Sequence, residues 1–136
     1  MPPDKQLPHV CLAGREVTRD WLLIRKLELQ HAVTLIEEVD KLMGNTLLQT
    51  ASVLVLDCTD CSELARNLLP VLRERFPDLC LVAVEGTYSQ KEVAGLFQEG
   101  LRDYFPAPYD PELLAERVAS LCGWPTRAAS DADSNA

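Results

Sequence analysis

The chain has 136 residues, enough for one domain with a proper core and too few for two ordinary ones. Its 21 acidic and 13 basic residues give a formal net charge of -8, the wrong sign for a protein that grips a phosphate backbone through lysine and arginine. We therefore expect protein partners and no direct contact with nucleic acid. No stretch approaches the roughly 18 apolar residues that a membrane helix needs, and the start, MPPDKQLPHV, has neither the basic region nor the apolar core of a secretory signal. A cytoplasmic protein with no membrane attachment is the expectation.

Residues 1–8 are proline-rich and polar and read as a flexible lead-in. HVCLA, residues 9–13, is a short apolar run that ends at Gly14 and predicts a first buried strand. Thr18 offers an N-cap, and Trp21, Leu22, Leu23, Lys26 and Leu27 recur at close to helical spacing, which predicts a first helix over about 18–28. HAVTLI, residues 31–36, is β-branched and predicts a second strand. Val39, Leu42, Met43, Leu47 and Leu48 then recur with helical period, a second helix softened at Gly44.

ASVLVLDCTD, residues 51–60, is the stretch around which the rest is organised. Val53, Leu54, Val55 and Leu56 form an uninterrupted apolar run too short for a helix, as expected of a strand buried on both faces at the centre of a parallel sheet. It delivers Asp57 to the carboxyl end of the sheet, where open α/β folds place their binding crevice. Asp60 or Ser62 can cap a third helix reaching about Arg75, with Leu64, Leu68, Leu69, Val71 and Leu72 inward and Pro70 inside it. CLVAV, residues 80–84, predicts a fourth strand. Ser89 caps a fourth helix through about Gln98, closed by Gly100, and Leu101 to Phe105 form a fifth strand. Asp110 with Pro111 opens a last helix carrying Leu113, Leu114, Val118 and Leu121 and ending before Gly123. One domain is expected over 9–123, with a small, polar and disordered tail over 124–136.

Strands that alternate with helices predict a doubly wound α/β fold, a five-stranded parallel sheet in the order 2-1-3-4-5 with helices on both faces. Five cysteines, an odd number, argue against a disulfide framework, and most read as small buried hydrophobes. Cys58 and Cys61 have the CxxC spacing of redox and half-zinc sites. His9 and His31 are the only histidines and no second ligand pair is evident, so no metal or redox site is expected there. Trp21 and Trp124 read as packing residues.

Over residues 9–122 this pattern resembles the receiver domain of bacterial two-component response regulators, a flavodoxin-like fold. VLVLD, ending at Asp57, is similar to that family's third strand with the phosphoacceptor aspartate at its tip. LFQEGLRDYFPAPYDPELLAERV, residues 96–118, is similar to its fourth-helix glycine, fifth strand, proline turn and last helix. The resemblance implies a cis peptide before Pro108 and a rotamer-switching aromatic at Tyr104. It also implies a contact face built from the fourth helix, fifth strand and last helix, here with Val93, Phe97, Tyr104, Tyr109 and Leu113.

The same register shows departures. Gly14 and Arg15, with Glu16 just beyond, stand where the family holds Mg²⁺ with an acidic pair. Glu85 replaces the hydroxyl residue after the fourth strand, Gly86 follows it, and Ala107 replaces the lysine before Pro108. Two readings of Asp57 follow. It caps the turn after its own strand, or Arg15 enters the vacated metal position and pairs with it, shared with Glu85. The expected function is a non-enzymatic, phosphorylation-independent signalling module that needs no cofactor and acts through protein contacts, with a histidine kinase, a downstream effector or a second copy as candidate partners. The alternatives are an Mg²⁺-dependent phosphoacceptor charged on Asp57 by a histidine kinase, and a ligand-sensing pseudo-receiver.

Overall fold

The structure, a computed structural model, describes residues 7–59 and 63–131. Strands β1 (His9–Ala13), β2 (Ala32–Ile36), β3 (Val53–Asp57), β4 (Cys80–Val84) and β5 (Asp103–Phe105) form one sheet in the order β2-β1-β3-β4-β5. Every pairing is parallel. Among the described residues four α-helices cover it: α1 (Trp21–Glu28), α2 (Glu63–Arg75), α3 (Gln90–Gln98) and α4 (Pro111–Asp131). Alternation along β3 explains why its sequence does not alternate. Val53 and Val55 enter one core with Leu23, Leu27, Leu114 and Val118, while Leu54 and Leu56 enter the opposite core with Leu69, Leu72 and Leu96. Both faces are buried, so both parities must be apolar.

Local chemistry fixes the ends of the elements. Ser89 and Glu92 form a reciprocal capping box at the start of α3. At its other end Gly100 takes φ 116, and the amides of Gly100 and Leu101 return to the carbonyls of Phe97 and Leu96, the hydrogen-bond pair of a glycine-terminated helix. Leu101 is spent on that closure, which shortens β5 to Asp103–Phe105 from the expected 101–105. Asp110 accepts from the Glu112 amide at 2.9 Å ahead of α4.

Several expectations are corrected. The second helix does not form: two short 3₁₀ turns, Val39–Lys41 and Thr46–Thr50, stand in its place. Gly44 weakens a helix, and the Asn45 side chain starts a new turn by accepting from the Leu47 amide at 2.8 Å. Two turns suffice because only Leu42 and Leu48 need full burial. The N-cap of α1 is Asp20, which accepts from the Leu23 amide, and not Thr18. Thr18 is buried and donates to the Gly14 carbonyl at 2.6 Å. Val71 is exposed, because Ala65, Leu69 and Leu72 already occupy the inward stripe of α2. Trp21 is 69% exposed rather than packed. The last helix continues past Gly123 to Asp131, with Pro125 inside it: one glycine costs a helix only about 1 kcal/mol and does not by itself end it. Residues 132–136 of the expected tail and residues 1–6 of the lead-in lie outside the described residues, as do the proposed caps Asp60 and Ser62.

Two cysteines report on the two cores. Burial pushes the Cys11 thiol up from 9.0 to about 11, and burial, with a smaller contribution from Cys80, does the same at Cys122. A raised folded pKa means that the neutral thiol is favoured in the folded state. That contribution is complete below pH 9 and is lost as the pH rises through 11. Urea unfolding between pH 9 and 11 is expected to show stability falling by up to about 1.4 kcal/mol per pH unit for each thiol, with a shallower slope in Cys11→Ala.

Candidate functional site

The carboxyl ends of β1, β3, β4 and β5 converge on Asp57, which is 5% exposed. Burial of a carboxylate is tolerable only when its oxygens are satisfied, and here each is taken twice. Oδ2 accepts the backbone amides of Glu16 at 2.8 Å and Val17 at 3.0 Å. Oδ1 accepts the Thr59 amide at 2.9 Å and the Thr59 hydroxyl. The first pair comes from the loop after β1, which folds inward through the 3₁₀ turn Val17–Arg19, and the second from the turn that Asp57 itself opens.

Gly14 makes that inward fold possible. Its φ is 126, and a Cβ built there would overlap the Asp57 Cβ and stand 3.0 Å from its Cγ. Only a residue without a side chain lets the β1 loop lie against the carboxylate. Arg15 is exposed and, among the described residues, makes no ion pair. The expected pairing of Arg15 with Asp57 is thus not formed. Two backbone amides already supply N–H donors to the oxygen that the guanidinium would have bonded. The reading of Asp57 as the cap of its own turn fits the Thr59 bonds.

Glu85 sits at φ 66, followed by Gly86 at φ 81, and this left-handed turn presents the Glu85 carbonyl to Tyr104, whose hydroxyl donates to it at 2.8 Å. The Tyr104 ring packs edge-on to Tyr88 with centroids 5.3 Å apart. Burial first, then Cys58 and Glu85, push the Tyr104 phenol up. The Glu85 carboxylate accepts a long bond from the Tyr109 amide at 3.5 Å. Ala107 is exposed and brings no charge, and the Ala107–Pro108 peptide is cis, as the resemblance implied.

Sequence reasoning missed Val17, Thr59 and Asp20, and it placed Glu16 in the site without its backbone role. Val17 and Glu16 act through backbone amides, which leave no trace in residue type. Thr59 is an ordinary turn residue until its distance to Asp57 is known. Asp20 bridges two loops: while capping α1 it also accepts the Tyr109 hydroxyl at 2.6 Å. Burial, then this bond and the charges of Asp20, Asp57 and Glu85, push the Tyr109 phenol far above its usual range. Tyr109 therefore closes one side of the crevice instead of standing on the outer face. Of the other residues expected on that face, Phe97 is 42% and Leu113 56% exposed, and Val93 is half-buried.

The cysteine and histidine expectations resolve separately. Cys58 is fully buried, its thiol against the Leu56 carbonyl, and Cys61 lies outside the described residues. His9 contacts Thr34 at 2.6 Å and Thr50 at 3.3 Å, and buried His31 contacts the Leu27 carbonyl. Among the described residues no group of three or more histidine, cysteine or acidic side chains could hold a metal ion, and no helix is long and apolar enough to cross a membrane.

No family model matches the chain, and no curated protein matches it in sequence. Solved structures do match it in fold. A response regulator from Thermotoga maritima superposes with a TM-score of 0.73 at 19% identity, covering 86% of this chain and 98% of the other. HP1043, an orphan response regulator of H. pylori, gives 0.72 at 14%, covering 85% and 96%. A Burkholderia thailandensis protein described as a pilus assembly protein, cpaE, gives 0.67 at 20%, covering 85% and 98%. The chain has the receiver-domain fold, with the β2-β1-β3-β4-β5 order and Asp57 at the tip of the central strand.

Proposed function

We propose that this chain is a regulatory module that uses the receiver fold without phosphorylation, working through contacts with other proteins. The observation that carries the reading is the saturation of Asp57. An aspartate that accepts a phosphoryl group must free one oxygen to attack and lend the other to a metal, whereas here four donors of the protein's own loops hold both. Transfer of a phosphoryl group also depends on cations that offset charge on its oxygens. Ala107 offers none, and Arg15 is exposed and makes no ion pair with Asp57. Mg²⁺ does not suit the donors present: it needs near-octahedral oxygen ligands with excess negative charge, and Gly14 and Arg15 contribute no carboxylate beside Asp57. Missing stabilisers worth about 2–4 kcal/mol apiece slow such chemistry by orders of magnitude. A kinase, an effector or an assembly component is the class of partner this fold suits, and the likeness to a protein named for pilus assembly fits a docking role outside phosphotransfer.

Incubation with acetyl phosphate and Mg²⁺ followed by intact-mass measurement tests the reading. No adduct is expected after hours. A phosphoryl adduct that disappears in Asp57→Asn would overturn it in favour of a phosphoacceptor.

A further inference from the structure

We propose that β2 is a self-association edge, through which two copies of this chain pair antiparallel about a two-fold axis at Thr34, joining their sheets into one. The inference is independent of whether Asp57 accepts phosphate.

The backbone shows which groups are available. The Ala32 amide donates to the Pro8 carbonyl and the Gly14 amide donates to the Ile36 carbonyl, both at 2.9 Å. Ala32 and Ile36 therefore turn their amides and carbonyls toward β1, and so does Thr34 midway between them in the parallel ladder. Val33 and Leu35 turn theirs the other way. Because β2 pairs with β1 alone, those two amides and two carbonyls have no strand partner among the described residues.

Edges are normally blunted by charge, proline, bulges or extreme shortness. The opposite edge is: β5 has three residues, Asp103 is tied to Arg117 at 2.7 Å, and Pro106 follows directly. AVTLI in β2 has no charge and no proline, its register with β1 runs unbroken over five residues, and Leu35 is 44% exposed. One open edge and one blocked edge favour a closed, two-fold pair over an open chain of sheets.

Charge selects the direction of pairing between the two copies. Glu37 and Glu38 follow the strand immediately. A parallel, in-register pairing would set these acids beside their own copies, which is destabilising. The antiparallel pairing with Val33 opposite Leu35 of the second copy lets the outward groups of both residues bond across the axis. It also separates the two Glu37 positions by six residues of strand, about 20 Å, beyond the screening length of roughly 8–10 Å at ordinary salt. On the same face Val33 of each copy then covers the exposed Leu35 of the other.

A short edge pairing belongs to the small-interface class, so a weak, concentration-dependent dimer is expected. Sedimentation equilibrium on the full chain tests it. Val33→Pro removes an amide that β1 does not use, so the fold is expected to survive with wild-type far-UV circular dichroism, while self-association weakens by roughly tenfold or more. If Val33→Pro fails to fold, Leu35→Lys, at an exposed side chain, takes its place with the same expectation. A wild-type chain that stays monomeric up to roughly 1 mM, or a folded Val33→Pro or Leu35→Lys that dimerises as the wild type does, overturns the proposal.

Discussion

Asp57→Ala is expected to destabilise the fold by about 2–4 kcal/mol, read as a lowered urea midpoint at unchanged m-value. The substitution strands three backbone amides, those of Glu16, Val17 and Thr59. Val17 is buried, so its amide cannot turn to water. Glu16 and Thr59 are exposed and recover part of the loss, which keeps the total below three full penalties. Asp57→Asn is expected to fall between the wild type and Asp57→Ala, because one carbonyl oxygen still accepts two donors while the new amide group faces the other pair. Against a total stability of about 5–15 kcal/mol for a domain of this kind, the alanine cost is large. A loss below about 0.5 kcal/mol, the range of surface substitutions, would show that the Asp57 carboxylate does not hold the β1 loop.

Gly14→Ala should cost more. The new methyl group would overlap the Asp57 Cβ, and φ 126 is a conformation that alanine rarely takes. Overpacking of about 1–3 kcal/mol and backbone strain of about 1–3 kcal/mol act together, so a loss of about 3–5 kcal/mol is expected. The double substitution discriminates between causes. Asp57→Ala keeps the Cβ that Gly14→Ala meets and should not rescue it, whereas Asp57→Gly removes that atom and should recover part of the loss. Equal coupling energies in the two cycles, each double variant taken against its own single variants, would rule out the clash as the cause.

The sheet was legible because β3 has to be apolar on both parities, and few other elements show VLVL running straight into an acid. Caps were legible at Ser89 and at Asp110 before Pro111, and misplaced at α1, where Asp20 and not Thr18 caps the helix. Failures occurred where the backbone acts. A search for what holds Asp57 looks for a cationic side chain and finds Arg15. The structure uses two amides and a missing Cβ, of which the glycine alone is written in the sequence. Residues 39–48 misled for a related reason: apolar spacing records which side chains must reach the core, and two 3₁₀ turns broken at Gly44 and Asn45 deliver Leu42 and Leu48 as well as a helix does. Asp20 was invisible because its partner Tyr109 is 89 residues away.

That distance has a meaning in time. Asp20 leaves the ribosome 89 residues ahead of Tyr109, an interval of about 4–18 s at typical elongation rates. Through that interval the Asp20 side chain can already cap α1 through the Leu23 amide. The Asp57 carboxylate, emerging midway, can settle on the amides of Glu16 and Val17 before the last strand exists. The contact by which Tyr109 closes the crevice can therefore form only after every residue of its floor has been made.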